Sequence, residues 1–267
     1  MRKPIAVAVL IFALATAGLL VIFSRDNEPR YEGRSLSEWL ALQPMPADLE
    51  AVTAPSKAER IAAVRARDAR IIAFRAEKDF AVRAIGTNAL PWLLQWMRYE
   101  LPPWRQQLLK LATRPVEGKT LDEGKIVYGQ SLILGKAARL AELADLAFII
   151  LNTNAAPAIP ELETMMKDNQ KPDKGLRAIY ALAAIGVPAV QVLTNALADT
   201  NQTHRCEIMQ AFYVVRDMIP PSRDTYLAAC VPALTRALDE PDAEVRRQAE
   251  VALYNLDPRA LTRVHSR

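Results

Sequence analysis

The sequence predicts an all-α chain: an α-solenoid of about five to six stacked helix pairs, preceded by an N-terminal transmembrane helix. Three observations predict this class. The 267 residues include only 9 Gly beside plentiful Ala, Leu and Arg, a composition that favours helix. Residues that end helices return at intervals of about 34 positions. An uncharged apolar run lies near the N-terminus, and no run of alternating β-branched residues predicts a strand.

Residues 5–23 form this uncharged run of 19 residues, which follows Arg2 and Lys3. At about 1.5 Å per residue, a helix of this length matches the hydrocarbon core of a bilayer. We interpret residues 1–24 as an uncleaved signal anchor that crosses a membrane once, with the rest of the chain on the outer side. The alternative is a signal peptide cleaved near Ala17, which would make the protein secreted.

Residues 25–54 are expected to form a juxtamembrane tether that contains one short helix. Ser35 and Glu38 have the spacing of a capping box. The residues that follow Ser35 give this helix one apolar side, formed by Leu36, Trp39 and Leu40. The pattern predicts a short helix that docks on the first helix pair.

Four bends carry residues that tolerate a left-handed backbone: Gly86, Asn152, Gly186 and Asn255. Their spacings are 66, 34 and 69, close to two, one and two units of about 34, and helix breakers near 119 and 220 occupy the two missing places. Proline follows each of the four bends within a few residues, where it is well tolerated at the start of the next helix. The spacing predicts a repeat domain over residues 55–267, in which helix pairs bury their apolar faces by stacking.

A second correspondence runs along the chain in the same register. Asp173 and Arg177 recur as Asp242 and Arg246, 69 residues later, and each Asp is expected to cap the start of a helix. With these residues, the stretches "DAEVRRQAEVALYNLDPRAL" and "NTNAAPAIPELETMMKD" resemble the HEAT repeat family in its short bacterial form. The resemblance implies a right-handed α-α superhelix, in which these Asp and Arg side chains hydrogen-bond between neighbouring units. It also implies a bacterial protein, so we expect the anchor to lie in the inner membrane and the repeat domain on the periplasmic side.

The sequence lacks the common signatures of catalysis and metal binding. It contains no Gly-rich phosphate loop, no H-E-x-x-H, no paired C-x-x-C and no G-x-S-x-G. We therefore predict no catalytic residue, no metal and no cofactor. His204 is expected to be solvated at a helix start. Cys206 and Cys230 are expected to be reduced and mostly buried, because antiparallel helices would hold them too far apart for a disulfide.

Trp96 and Trp104 are the first candidates for a binding surface. They belong to an aromatic cluster in a chain whose aromatic content is only 6%, and Trp is enriched at interaction hot spots. We assign the neighbouring Trp92 to the core. Residues 102–135 match the repeat worst, so a specialised surface is expected there.

Arg60, Arg67 and Arg70 are the second candidates, on a long arginine-rich helix expected over about 56–85. They would form a basic strip for phosphate, lipid headgroups or an acidic protein. The alternative, which we favour, is a solvated helix face tempered by nearby acidic residues. The net charge of +4 permits polyanion binding without requiring it, and nucleic acid is not expected as a partner.

The sequence is best interpreted as a non-enzymatic, membrane-tethered HEAT-repeat scaffold that binds another protein. Two alternatives stay open. One is a HEAT-like enzyme similar to bilin lyases or alkylpurine DNA glycosylases, although the second would need a strongly basic groove and access to DNA. The other is a structural envelope component that binds lipid or cell wall.

Overall fold

A computed structural model describes residues 28–43, 56–112, 123–168, 171–214 and 223–260. The apolar run 5–23 and the two expected bends near 119 and 220 lie outside these ranges. Within them, no helix has both the length and the apolar character needed to cross a membrane.

Helices dominate the described residues, as the all-α prediction requires. Two short 3-10 helices, Gly86–Ala89 and Asn152–Ala158, lie within this helical array. In chain order the α-helices are α1 (Leu36–Ala41), α2 (Lys57–Ile85), α3 (Leu90–Met97), α4 (Pro103–Ala112), α5 (Glu123–Leu151), α6 (Ile159–Met166), α7 (Pro172–Ile185), α8 (Val187–Ala198), α9 (Arg205–Val214), α10 (Arg223–Ala237) and α11 (Ala243–Leu256).

A small hairpin precedes α1, so the expectation of no strand was wrong at this place. Strands β1 (Arg30–Tyr31) and β2 (Arg34–Ser35) pair antiparallel. The turn between them has positive φ at both central residues, 47° at Glu32 and 79° at Gly33, as two-residue hairpin turns require. Strands of two residues are too short to produce the alternation by which a strand is recognised in a sequence.

The short helix α1 has the predicted capping box. The backbone N–H of Ser35 donates to the Glu38 carboxylate at 2.7 Å, and the N–H of Glu38 donates to the Ser35 hydroxyl at 3.3 Å. The helix packs against α2 and α5, with its apolar side buried as expected. The Trp39 indole N–H also donates to the Tyr31 carbonyl at 2.9 Å, which ties the hairpin to the helix.

Three of the four predicted bends have positive φ. Gly86 has φ 60° and ψ −137°, Gly186 has φ 80° and ψ −139°, and Asn152 has φ 49°. Both glycines therefore occupy a region that residues with a Cβ rarely reach. Each ends a long helix, so the chain turns back in a similar way at both places.

The fourth predicted bend lies two residues after Asn255 and has no left-handed residue: Asp257 has φ −146° and ψ 90° and separates α11 from the helical residues 258–260. Helix α11 continues through Asn255 to Leu256, and the Asn255 side-chain amide donates to the Val251 carbonyl at 2.7 Å, within the same helix. A further bend that was not predicted occurs at Gly135, where φ 74° and ψ 179° kink α5. Residues 102–135, which match the repeat worst, therefore end in a sharp change of helix direction.

Helices that follow one another as pairs also pack against the next pair. The first helices of the pairs contact in the order α2, α5, α7, α9 and α11, and among the second helices α8 contacts α10. One apolar core runs through these contacts, from Leu36 near the N-terminal hairpin to Ala260 after α11. Because many of its members are Ala, the helix backbones can approach closely.

Candidate functional site

Helix α4 presents a stripe of apolar side chains to solvent. Trp104 is 57% exposed, Leu108 45% and Leu111 58%. Their spacing of four and three residues places them on one side of the helix. Trp104 is one of the two tryptophans that the sequence singled out for a binding surface. Sequence reasoning missed Leu108 and Leu111, although their spacing from Trp104 was a signal that could have found them.

Arg105 fixes this helix against the kink in α5. Its Nη1 donates to the Leu134 carbonyl at 3.0 Å, and a Cβ added to Gly135 would lie 2.8 Å from the same nitrogen. The Arg105 guanidinium also lies 5.0 Å from the centre of the Trp104 ring, a distance suited to a cation–π contact. The glycine at the kink therefore leaves room for the arginine that positions α4.

Trp96 does not share the exposure of Trp104. Trp92 and Trp96 are both half-buried on α3 and pack against the apolar core. The assignment of Trp92 to the core agrees with this placement. Trp96 is left with only part of its side chain available to a partner, so the candidate surface consists mainly of the α4 stripe.

The arginines of the candidate basic strip lie on α2. Arg60 and Arg70 are exposed, and Arg67 is half-buried. Arg67 forms an ion pair with Asp68 at 3.1 Å, where both side chains are partly exposed. Such surface pairs contribute little to stability. The Arg67–Asp68 pair fits the interpretation favoured from the sequence, which is a solvated helix face whose positive charges are partly neutralised by acidic neighbours.

The two repeat arginines bind backbone carbonyls in different settings: Arg177 at the end of α3, and Arg246 in the turn between α10 and α11. Arg177 donates from Nε to the Met97 carbonyl at 3.3 Å and from Nη2 to the Tyr99 carbonyl, both at the end of α3. Arg246 donates from Nη1 to the Glu240 and Pro241 carbonyls at 2.7 and 2.8 Å. The carbonyls at a helix C-terminus lack partners inside the helix and carry partial negative charge, so guanidinium groups suit them.

The two repeat aspartates differ in role. Asp242 caps α11 by accepting hydrogen bonds from the N–H groups of Glu244 and Val245, at 2.8 and 3.3 Å. Asp173 does not cap α7, so this expectation was wrong. Helix α7 begins one residue earlier, at Pro172, because proline is suited to the first helical position and has no N–H to satisfy.

A third arginine, Arg83, also binds a backbone carbonyl. Its Nε donates to the Ile150 carbonyl near the end of α5, at 3.2 Å. The sequence around Arg83 matches the Asp–Arg pattern out of register. Arg83 therefore joins α2 to a carbonyl near the end of α5, as Arg177 joins α7 to a carbonyl at the end of α3.

A polar cluster lies beside Arg177. Burial raises the pKa of Asp145 to about 7, an effect that the Arg177 charge opposes and the Glu142 charge adds to. The Asp145 Oδ1 atom is buried without a hydrogen-bond partner, and so are the Tyr99 hydroxyl and the Glu100 Oε1 atom. Glu100 Oε1 lies 3.6 Å from the Lys171 ammonium group, too far for a hydrogen bond.

Perturbed carboxyl groups are common in catalytic sites, but structural networks also produce them. The shift at Asp145 comes first from the loss of water around its carboxylate. In the ranges that the structure covers, no three His, Cys, Asp or Glu side chains are grouped to hold a metal ion.

His204 is buried, contrary to the expectation of a solvated side chain. It is 8% exposed, and a Cβ added to Gly175 would lie 3.2 Å from its Nε2 atom. The glycine in α7 therefore leaves space for the imidazole ring. Cys206 is half-buried and Cys230 buried, and both are free thiols. Burial raises the pKa of Cys230 to about 12, so its reactive thiolate form is scarce at neutral pH.

Comparisons with known proteins found no similarity that bears on this site. The chain matches no protein-family model, no curated protein and no solved structure.

Proposed function

We propose that this chain is a non-enzymatic, membrane-tethered scaffold built as a HEAT-like α-solenoid, and that α4 binds another protein. Residues 5–23 anchor the chain in a bacterial inner membrane, and residues 55–267 form the repeat domain on the periplasmic side. The main observation in favour of a binding role is the exposed stripe formed by Trp104, Leu108 and Leu111.

The solenoid is supported by how the helix pairs are joined and packed. Gly86, Asn152 and Gly186 each turn the chain at the end of a helix, and the first helices of the pairs pack in chain order. A pair of this length has two apolar faces, so it buries both only when neighbouring pairs stack on either side. Stacked pairs then offer extended surfaces that suit the binding of another protein.

The α4 stripe is supported as a binding surface by its composition and its spacing. Soluble proteins seldom leave several large apolar side chains exposed side by side without a function. Residues spaced i, i+4 and i+7 are the anchors by which an amphipathic helix enters an apolar groove. Helix α4 carries Arg105 and Lys110 but no acidic residue. The expected partner therefore has an apolar groove with an acidic rim.

Site-specific crosslinking in intact cells tests this proposal. A photoreactive amino acid replaces Leu108 in the full-length chain, and in a matched control it replaces Gln106, which is exposed on the other side of α4. We expect one crosslinked product of constant mass from position 108 and none from position 106. The product should disappear when Trp104→Ala is added, because the anchor of the contact is lost. Equal labelling at both positions, or a product that survives Trp104→Ala, would contradict the proposal.

A further inference from the structure

The first part of α2 extends beyond the packed core. The helix has 29 residues, but its buried side chains are only Ala81, Val82 and Ile85, near its C-terminal end. Every side chain of residues 57–80 is exposed or half-buried. In proteins, helices are stabilised mainly by packing of an apolar face rather than by intrinsic propensity. A solvated stretch of this length therefore raises the question of what packs against it.

Four exposed residues of this stretch have the spacing of a helix-pairing seam. Ile61, Arg65, Asp68 and Ile72 follow one another at intervals of four, three and four residues, which is the a/d spacing of a coiled coil. Ile61 is 45% exposed and Ile72 66% exposed. Over residues 57–77 the half-buried side chains lie on a different side of the helix, at positions 63, 67, 71 and 74.

This seam is complementary to itself when two copies run antiparallel. A two-fold axis midway between positions 66 and 67 sets Ile61 opposite Ile72 and Arg65 opposite Asp68, in both directions. A two-fold interface has this property, since each contact occurs twice. A parallel arrangement in register would instead place Arg65 against Arg65 and Asp68 against Asp68, where like charges repel.

We propose that the exposed part of α2 pairs with α2 of a second copy of this chain, antiparallel, with Arg65 of each copy opposite Asp68 of the other. The seam then has two apolar layers, formed by Ile61 and Ile72, around two ionic layers. Charged residues at seam positions lower the stability of a helix pair but fix its register and orientation. Asp68 also bonds to Arg67 of its own chain at 3.1 Å, and a carboxylate has the capacity to accept both arginines.

This self-association uses a helix other than α4, so it does not depend on the proposed protein partner. The competing occupant is an anionic lipid surface, because α2 is basic: it has eight Arg and Lys residues against four Asp and Glu residues. A second copy is favoured over lipid because an acidic residue, Asp68, lies in the middle of the exposed seam. A carboxylate there would face the negative surface of the lipid, whereas it meets Arg65 in the antiparallel pair.

Exchange of the two charges tests the pairing. Full-length chains in a non-ionic detergent carry donor or acceptor fluorescent proteins at their C-termini, and energy transfer reports their association. We expect transfer for the original chain and a dimer dissociation constant at least about tenfold higher for R65D or for D68R, because each creates two like-charge contacts. Mixing R65D with D68R should restore transfer, since both contacts are then between opposite charges. The double variant R65D/D68R should pair with itself again.

Controls separate this result from misfolding and from lipid binding. Arg70→Asp makes the same change of charge on another side of α2, so it should leave the dimer unchanged. Circular dichroism checks that each variant keeps its helix content. The proposal is overturned if the original chain is monomeric at every concentration tested, or if the R65D and D68R mixture does not associate. It is also overturned if the chain binds anionic vesicles through α2 and the R65D and D68R substitutions leave the energy transfer unchanged.

Discussion

Replacement of Asp145 by Asn should make the protein more stable at neutral and alkaline pH. Burial raises the pKa of this carboxyl from 3.8 to about 7 in the folded chain. Asn has almost the same size and shape but no charge. The substitution therefore removes the cost of holding a carboxylate in a poorly hydrated place, without opening a cavity.

The pH dependence follows from the direction of the shift. In the unfolded chain, Asp145 loses its proton near pH 4, whereas in the folded chain it keeps the proton up to about pH 7. Between these values the folded state binds more protons, so the free energy of unfolding falls as pH rises. The shift is about three pKa units at about 1.4 kcal/mol each, which gives a ceiling of about 4 kcal/mol above pH 7. We expect Asp145→Asn to recover about 2 kcal/mol of this at pH 8 and almost nothing at pH 4.

Chemical unfolding of the full-length chain in a non-ionic detergent, followed by circular dichroism, measures this difference at pH 4, 6 and 8. Glu142→Gln is the matched control, because Glu142 is exposed and contributes less to the shift than burial does. It should change the pH profile only slightly. Destabilisation of the protein by Asp145→Asn at pH 8 would contradict this expectation. It would mean that a favourable contact with Arg177 outweighs the cost of burying the carboxylate.

Two further predictions concern the arginines that hold helix ends. Gly135→Ala should destabilise the protein by about 1–3 kcal/mol, because a Cβ would meet the Arg105 guanidinium at 2.8 Å and because φ there is 74°. The loss should shrink in the Arg105→Ala background, where the clash is gone; an equal loss in both backgrounds would show that only backbone strain matters. Arg177→Met should cost about 2 kcal/mol, because it removes charged hydrogen bonds to two carbonyls at the end of α3. Arg247→Met is the control and should alter thermal unfolding little, since Arg247 pairs with an exposed glutamate in its own helix. Equal effects of the two substitutions would contradict the role given to Arg177.

Local features of the chain could be predicted because their causes are local. The capping box of Ser35 and Glu38 depends on the reach of two side chains over one helical turn. The positive φ of Gly86, Gly186 and Asn152 reflects a backbone region that glycine enters freely and that asparagine tolerates. Both kinds of signal involve residues that are neighbours in the chain.

Failures occurred where a distant contact decides the outcome. Gly135 was missed because no proline follows it and it lies outside the spacing of about 34 residues, while the contact that holds the kink comes from Arg105, thirty residues earlier. His204 was expected in solvent, but α7 supplies a glycine against which its ring packs. Asn255 was expected to be left-handed, but its helix continues to Leu256 and the break falls at Asp257.

The sequence by itself determined the helical class, the places where several helices begin and turn, and the absence of familiar catalytic motifs. These depend on backbone sterics, on capping and on residue type, which act over a few positions. Only the tertiary structure decided which side chains lose water and which keep it: the half-buried Asp145 and Trp96, and the exposed Trp104, Leu108 and Leu111. Burial depends on what other segments place over a residue, so it is settled by the packing of helices far apart in the chain.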